Sequence, residues 1–179
     1  MTKLSPEDAQ LCQSLLVELR DDVRHRTEVS GDFTETCYLE LVTEALEAAG
    51  VIEESFVCHY SQEYKRLQVT VSGYALEEER NCLTLFACVL RDEDDVVPCE
   101  GPTLVKAAQR AANLLVALDR GLEKQLSFFD REVEMLERIK NSRAEMTTLR
   151  VIVFTDGIAG VTNLSDIVVN QSRVQVEIW

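Results

Sequence analysis

The stretch LQVTVSGYALEEERNCLTLFACVLR, residues 67–91, decides the fold class of this chain. Apolar and polar residues alternate from Leu67 to Val71, and Ala75 continues the apolar series, which is the period of a half-buried strand. The polar segment Glu77–Asn81 predicts a turn. The segment Cys82–Leu90 is apolar at nearly every position, as in a central strand whose two faces are both covered. Two paired strands in the middle of the chain are therefore expected.

Two helices are predicted before these strands. Ser5 followed by Pro6 is a typical helix start, because the hydroxyl caps the first turn and proline suits the first helical position. Asp32, with Glu35 three residues later, resembles a capping box that begins a second helix, which ends at Gly50. The apolar stripe of the first helix is formed by Leu11, Leu15, Leu16, Leu19 and Val23.

The remaining elements complete a layered α/β pattern. A strand is predicted at Phe56–Ser61, helical periodicity covers Leu104–Leu118 and Leu122–Ile139 with Gly121 between them, and Leu149–Phe154 is a continuous apolar strand. Helices, a three-strand meander, crossover helices and further strands predict an α/β sandwich with a mixed β-sheet. At 179 residues, the expectation is one domain, spanning residues 1–179.

The C-terminal residues predict a last, half-exposed strand. Val174, Val176 and Ile178 alternate with polar residues, and no Pro or Lys discourages pairing with another strand. An edge strand with these features is expected to bind a second copy of the chain or a continuation of it. Val176, Ile178 and the aromatic Trp179 are the predicted interface residues, because indole is a common interface anchor.

Charge and composition exclude several classes of protein. The net charge is −14, and the segment 102–150 is the one in which Lys and Arg outnumber Asp and Glu, by nine to seven. Duplex affinity comes largely from basic side chains, so direct nucleic-acid binding by this domain alone is not expected. The basic residues of the segment are interspersed with Glu, which favours surface ion pairs over a docking face for nucleic acid or further domains. The series on the predicted helices is Lys106, Arg110, Arg120, Lys124, Arg131, Arg138, Lys140 and Arg143, and the ninth basic residue of the segment is Arg150.

The cysteines and the hydropathy predict a cytoplasmic location. No apolar run approaches the roughly 20 residues that span a bilayer, so no membrane partner is expected. The N-terminus lacks the apolar core of a signal peptide. Reduced, buried thiols are favoured over disulfides or a zinc site, since there is no CxxC pair. The six cysteines are Cys12, Cys37, Cys58, Cys82, Cys88 and Cys99.

Three other polar features have plain structural interpretations. The acidic runs Glu77–Glu79 and Asp92–Asp95 are interpreted as solvated turn charges, in preference to a cation site. His59 is interpreted as a structural histidine, because no Ser or Cys partner is identifiable. Thr155-Asp156-Gly157 follows a central strand, where α/β folds often bind ligands, but it lacks a phosphate-loop pattern and is interpreted as a turn.

Four short motifs together resemble one known family. Their order and spacing cover most of the chain beyond residue 50, and the combination resembles the N-terminal domain of the abortive infection phage resistance protein family, AIPR. The motifs are Val71-Ser72-Gly73-Tyr74-Ala75, Leu83-Thr84-Leu85, Ile152-Val153-Phe154-Thr155-Asp156-Gly157 and Val174-Gln175-Val176-Glu177-Ile178-Trp179. The resemblance implies a restriction-endonuclease-like fold. It also implies that the chain is the N-terminal part of a longer protein.

The same resemblance implies where a metal site would lie. Active members of that fold carry an Asp at the end of the second strand and an acid-x-Lys triplet on the third, which hold Mg²⁺. The family's Asp-Gly-Tyr is Ser72-Gly73-Tyr74 in this chain, so Ser72 marks a degenerate position. The candidate pairs on the third strand do not ionise usefully; they are Leu83/Leu85, Thr84/Phe86, Leu85/Ala87 and Phe86/Cys88. No metal and no cofactor are therefore expected.

The expected function is a non-catalytic, nuclease-like module of an antiphage defence protein, used for scaffolding, dimerisation or sensing. One alternative is a Mg²⁺-dependent nuclease whose carboxylates have moved to Glu63, Glu77 or Asp156. A second alternative is a protein-interaction domain unrelated to nucleases. The sequence favours the first interpretation because Ser72 replaces the principal carboxylate.

Overall fold

The computed structural model describes residues 6–91, 97–125, 131–159 and 164–179. The helices are α1 (Pro6–Ser30), α2 (Thr34–Ala48), α3 (Gly101–Asp119) and α4 (Arg131–Arg143), with a turn of 3₁₀ helix at Leu122–Gln125. The strands are β1 (Glu54–Tyr64), β2 (Leu67–Glu77), β3 (Cys82–Val89), β4 (Pro98–Cys99), β5 (Thr148–Thr155), β6 (Ile158–Ala159), β7 (Ile167–Val169) and β8 (Ser172–Ile178).

Six strands form one mixed sheet in the order β1-β2-β3-β5-β8-β7. The first three are an antiparallel meander, β5 lies parallel to β3, β8 lies parallel to β5, and β7 is antiparallel to β8. Strands β4 and β6 form a separate parallel pair. The predicted α/β class and mixed sheet are confirmed.

Helices cover both faces of this sheet. On β3, Leu85 belongs to the larger apolar cluster, which includes residues of α3 and α4, and the next residue, Phe86, belongs to the smaller cluster with residues of α1 and α2. Both side chains are at most 1% exposed. The interpretation of β3 as a central strand covered on both faces is therefore confirmed.

Strand β2 does not keep a simple alternation. Val71 and Tyr74 both belong to the cluster on the α3 side, although three positions separate them, whereas Ala75 lies in the cluster with α1 and α2. The prediction that Ala75 continues the apolar face of Val71 is therefore wrong. Ser72 of β2 lies opposite two residues of β1, Cys58 and His59, and the alternation of β2 is broken at this irregularity of the ladder.

Two tight hairpins have turns without the usual sequence signal. Lys65 and Arg66 join β1 to β2 with positive φ angles of 47° and 67°, and Asn170 and Gln171 join β7 to β8 with 46° and 71°. Two successive residues with positive φ form the turn whose twist matches paired strands, and Asn-Gly is the sequence that usually adopts it. The pairing of the adjacent strands therefore imposes this conformation on Lys65 and Arg66.

The helical predictions hold in outline and differ in three places. Leu11 and Leu15 of the predicted α1 stripe are more than half exposed, because the described elements cover only the later part of α1, where Val23 is buried. Cys12 is exposed as well, so the prediction of buried thiols is wrong for this residue; none of the six cysteines, all of which lie among the described residues, forms a disulfide. The segment predicted as one helix, Leu122–Ile139, contains a 3₁₀ turn and the first residues of α4. The predicted cap Ser5 and the apolar residues Leu126 and Phe129 lie outside the described residues.

Strand β8 is not the edge of the sheet. It pairs with β5 on one side, while β7 pairs with its first residues on the other. Trp179 continues the pairing with β5, since its N–H donates to the carbonyl oxygen of Val153 at 3.0 Å. The predicted exposed edge is wrong because the antiparallel hairpin with β7 could not be inferred from the alternation within β8. Among the described helices, none combines the length and the apolarity needed to cross a bilayer.

Candidate functional site

A groove of about 560 Å³ lies beside the second half of β3, between α2 and α3. It is named here the β3 groove. It is lined by Glu35 of α2 and by Lys106 and Arg110 of α3. Other residues that line the groove are Thr70 of β2, Ala87–Leu90 on and after β3, and Pro102 and Thr103 of α3.

A β-bulge turns polar side chains toward this region. Val57 pairs with Gly73 and Tyr60 with Val71, so that Cys58 and His59 of β1 lie opposite Ser72 of β2. A bulge of two residues against one bends the strand and re-aims its side chains. Next to it the strands approach closely, since a Cβ added to Gly73 would lie 2.5 Å from the carbonyl oxygen of Phe56. Glycine is therefore required at this position.

Glu35, Ser72 and His59 form one hydrogen-bonded cluster. The Ser72 hydroxyl donates to Glu35 Oε1 at 2.5 Å, and His59 Nδ1 lies 3.3 Å from the same oxygen. Burial raises the pKa of Glu35, but the hydrogen bonds from His59 and Ser72 outweigh burial and hold that pKa below its ordinary value. The hydrogen bond to Glu35 in turn raises the pKa of His59, against a smaller opposing effect of burial. These hydrogen bonds thus favour the charged forms of both Glu35 and His59.

This cluster corrects the predicted role of Glu35. The residue before α2 is Phe33, which makes no side-chain capping bond, and the Asp32 N–H donates to the Ser30 hydroxyl at 3.1 Å. The capping-box prediction is therefore wrong. An acid in the first turn of a helix is compatible both with a capping box and with a contact to the sheet. Only the packing of α2 on the sheet shows that Glu35 makes the second contact.

The side chains of β3 nearest this cluster do not ionise usefully. Phe86 pairs with Gly73 and faces the α2 side, and the same face includes Cys88 two residues later. Of the four candidate pairs, Phe86/Cys88 is therefore the one beside Ser72. Burial, followed by the nearby carboxylates of Glu35 and Asp156, raises the pKa of the Cys88 thiol well above its ordinary value. Cys88 is consequently a neutral thiol at physiological pH.

The three alternative carboxylates lie at separate places. Glu63 is exposed near the end of β1 and accepts a hydrogen bond from Gln68. Glu77 lies at the far end of β2 from Gln68, roughly 30 Å away at about 3.3 Å per residue. Asp156 follows the end of β5. Glu63 and Glu77 are too far apart to bind one metal ion.

Glu77 is a buried ion-pair residue. It is 1% exposed, Arg150 Nη2 lies 2.6 Å from its Oε1, and Arg80 Nη1 lies 3.1 Å from its Oε2. The Thr84 hydroxyl also donates to Oε1 at 2.8 Å. The interpretation of Glu77 as a solvated turn charge is wrong, because Arg150 on β5 reaches across β3 to it. Glu78 and Glu79 are exposed as expected, and Asp92–Asp95 lie outside the described residues.

Asp156 is also held by basic partners. Its Oδ2 accepts a hydrogen bond from Arg20 Nη2 of α1 at 3.0 Å, and its Oδ1 accepts one from the Arg91 backbone N–H at 2.9 Å. It is 7% exposed. These contacts tie α1 and the segment after β3 to the end of β5, which agrees with the predicted structural turn.

The predicted interface residues differ in their surroundings. Val176 is buried in the larger apolar cluster, and Ile178 is partly buried against it. Trp179 is 48% exposed, and its indole N–H donates to Glu177 Oε2 at 3.2 Å. Of the three, Trp179 is the residue with a large exposed apolar surface. Its role in an interface stays a prediction.

We expect the Glu35–His59 pair to stabilise the fold most between about pH 4.5 and 6.5, the ordinary pKa values of the two groups. Because the pKa of His59 is raised in the folded protein, His59 contributes fully to the free energy of unfolding below pH 6.5, its ordinary pKa. This contribution is lost as the pH rises through the raised pKa. The lowered pKa of Glu35 gives a contribution that is lost as pH falls through the lowered value. His59→Gln should therefore reduce the free energy of unfolding more at pH 5.5 than at pH 8.5.

Urea unfolding at the two pH values measures this difference. The matched control is the same substitution in a Glu35→Gln background, where the pH dependence of its effect should disappear. An equal loss at both pH values in the wild-type background would contradict the pairing of His59 with Glu35.

One comparison with known proteins identifies the chain. Searches of curated proteins and of solved structures returned no significant match. The model of the abortive infection phage resistance protein N-terminal domain matches residues 38–179, which is most of the chain; α1 and Glu35 precede the matched segment. This match confirms the family resemblance inferred from the four sequence motifs. The chain therefore belongs to the family of abortive infection phage resistance protein N-terminal domains.

Proposed function

We propose that this domain is a non-catalytic, nuclease-like module of an antiphage defence protein, used for scaffolding, dimerisation or sensing. Family membership supports the defence context. The meander β1-β2-β3 followed by crossover helices and the parallel strand β5 is compatible with a restriction-endonuclease-like sandwich. We therefore propose a nuclease-like fold whose site lacks the residues that would bind a catalytic metal ion.

One observation carries this proposal: the positions expected to hold metal ligands are Ser72, Phe86 and Cys88. A hard divalent cation prefers carboxylate oxygens, and these three side chains supply a hydroxyl, a phenyl ring and a neutral thiol. Glu35 is the one carboxylate among the described residues that contact Ser72. Its Oε1 already accepts from Ser72 and contacts His59, and the other carboxylate near Cys88, that of Asp156, is paired with Arg20.

The alternative of migrated carboxylates has less support. Glu77 faces two guanidinium groups, and Asp156 faces Arg20 and the Arg91 N–H. A metal ion at either carboxylate would have to displace a buried or half-buried cation. Glu63 is exposed and lies at the far end of the β1–β2 pair from Glu77.

A cleavage assay tests the proposal. Single- and double-stranded DNA and RNA, incubated with the protein and Mg²⁺ or Mn²⁺, should stay intact. Metal-dependent cleavage that is lost in Glu35→Gln, or in alanine variants of Glu63, Glu77 or Asp156, would overturn it. Each variant needs a matching thermal unfolding curve to show that it folds.

A gain-of-binding variant tests the location of the degenerate site. Ser72→Asp would place a second carboxylate beside Glu35, so a thermal shift with Mn²⁺ should appear that the wild type lacks. Ser61→Asp, on the exposed part of β1, is the control and should show no shift. A folded Ser72→Asp protein without Mn²⁺ binding would contradict the assignment of Ser72 to the metal position.

A further inference from the structure

We propose that the β3 groove binds a small phosphorylated ligand of nucleotide size, whose phosphate contacts Lys106 and Arg110 and whose hydroxyl or amino groups face Glu35. This inference deepens the sensing role proposed above and rests on the groove being non-catalytic.

Two cations of the groove have no hydrogen-bond or ion-pair partner among the described residues. Lys106 and Arg110 lie four residues apart on α3 and therefore on the same side of the helix. Neither forms a hydrogen bond or an ion pair with the described residues, and the Arg110 Nε atom is buried without a hydrogen-bond partner. A buried guanidinium N–H without an acceptor is costly, so this arrangement favours an external anion.

Three basic residues of α4 form ion pairs within the described part of the chain, unlike Lys106 and Arg110. Arg138 lies 3.4 Å from Glu54, Lys140 lies 2.5 Å from Glu123, and the third of them, Arg143, lies 2.7 Å from Asp119. The surface ion pairing predicted from the sequence thus holds for these three. It fails for Lys106 and Arg110, although the chain has 32 acidic residues against 18 basic ones. Two cations in one groove without a carboxylate partner among the described residues therefore favour a ligand that brings its own negative charge.

The carboxylate of Glu35 determines the orientation of the ligand. Glu35 keeps its negative charge because Ser72 and His59 hold the carboxylate, and this charge repels a phosphate. It attracts hydroxyl or amino groups at the other end of the same molecule. The hydroxyls of Thr70 and Thr103 and the apolar segment Ala87–Leu90 complete the lining.

The dimensions fit a ligand larger than phosphate alone. Pockets for small organic ligands and cofactors usually enclose roughly 300 to 1,000 Å³, and the β3 groove, at about 560 Å³, lies within this range. The same two cations also border a second cavity lined by Val105 and Leu164, so the phosphate end can be reached from that side. A nucleoside monophosphate or a pentose phosphate has the required size and polarity.

Calorimetric titration with AMP, GMP, CMP, UMP, ribose 5-phosphate, inorganic phosphate and adenosine tests this site. At least one of the five organic phosphates should bind, and it should bind about tenfold or more tightly than inorganic phosphate and, for AMP, than adenosine. The double variant Lys106→Ala, Arg110→Ala should lose at least about a hundredfold in affinity, since each charge-assisted contact is worth roughly tenfold. Alanine is the best helix former, so this variant should remain folded.

The control is Arg120→Ala, Lys124→Ala, which removes the same charge at the other end of α3 and should leave affinity unchanged. Glu35→Gln should weaken the organic phosphate while leaving inorganic phosphate unaffected or bound more tightly. If no organic phosphate binds, or if the control loses as much affinity as the groove variant, the inference is overturned. A short single-stranded oligonucleotide that binds through Lys106 and Arg110 while the monophosphates do not would also overturn it.

Chromatography of the same mixtures separates the two proposals. A bound ligand that is recovered unchanged supports both. Binding followed by metal-dependent breakdown of the ligand would leave the phosphate site standing and overturn the non-catalytic function. Absence of binding together with absence of nucleic-acid cleavage would overturn the ligand site alone.

Discussion

Replacing Phe86 with alanine should lower the free energy of unfolding by about 3 to 5 kcal/mol, the usual cost of removing a buried phenyl ring. The ring is 0% exposed and packs edge-on against Phe154, with centroids 5.4 Å apart and an interplanar angle of 70°. A Cβ on Gly73 would lie 3.0 Å from it, so the space around the ring is already filled. The resulting cavity cannot collapse easily, because it lies between a rigid central strand and two helices.

Urea denaturation followed by circular dichroism measures this loss. Phe33→Ala is the matched control, because Phe33 is 84% exposed and its removal should change stability by no more than about 0.5 kcal/mol. A loss below about 1 kcal/mol for Phe86→Ala would mean that β3 is not a central strand of the folded domain.

Glu77→Gln should also cost about 3 to 5 kcal/mol, because it removes one charge of a buried pair and leaves the other without compensation. The Arg150 side chain is 12% exposed, and its closest carboxylate oxygen is Glu77 Oε1 at 2.6 Å. Its other acidic partner, Glu177, is more distant at 3.7 Å. Glutamine keeps the shape of the side chain, so the loss reports the missing charge more than a cavity.

Glu54→Gln gives the matched comparison. Glu54 and its partner Arg138 are both largely exposed, and such pairs are worth at most about 1 kcal/mol. A double-mutant cycle of Glu77→Gln with Arg150→Met separates the interaction energy between the two side chains from the cost of leaving one buried charge without a partner. If Glu77→Gln costs no more than Glu54→Gln, Glu177 alone satisfies Arg150 and the buried pair has no special importance.

The elements of this domain follow from local patterns. Strands β2, β3 and β5 were predictable because period-two alternation and continuous apolar runs are properties of neighbouring residues. The burial of Leu85 and Phe86 on opposite faces follows from the same period. The family resemblance also rests on short local motifs around these strands. Boundaries were less predictable; Phe56–Ser61, for example, extends to Glu54–Tyr64 because pairing with β2 continues beyond the apolar residues.

The candidate site depends on contacts between distant residues. Glu35 meets Ser72 across 37 positions, and Arg150 meets Glu77 across 73. No local spacing encodes either contact. The bulge opposite Ser72 likewise arises from the register of two strands, which a single strand does not specify.

The sequence by itself determined the α/β class, the central strand and the family, because these depend on hydrophobic period and on residues close together in the chain. The family resemblance also predicts that Ser72 stands at the position of a metal-binding carboxylate. The tertiary structure alone decided that β8 is flanked by β7, that Glu35 joins Ser72 and His59, and that Lys106 and Arg110 line a groove with no ion-pair partner in the part of the chain that the structure describes. The physical reason is that strand order, register and helix docking are set by the packing of the whole chain, which no window of neighbouring residues contains.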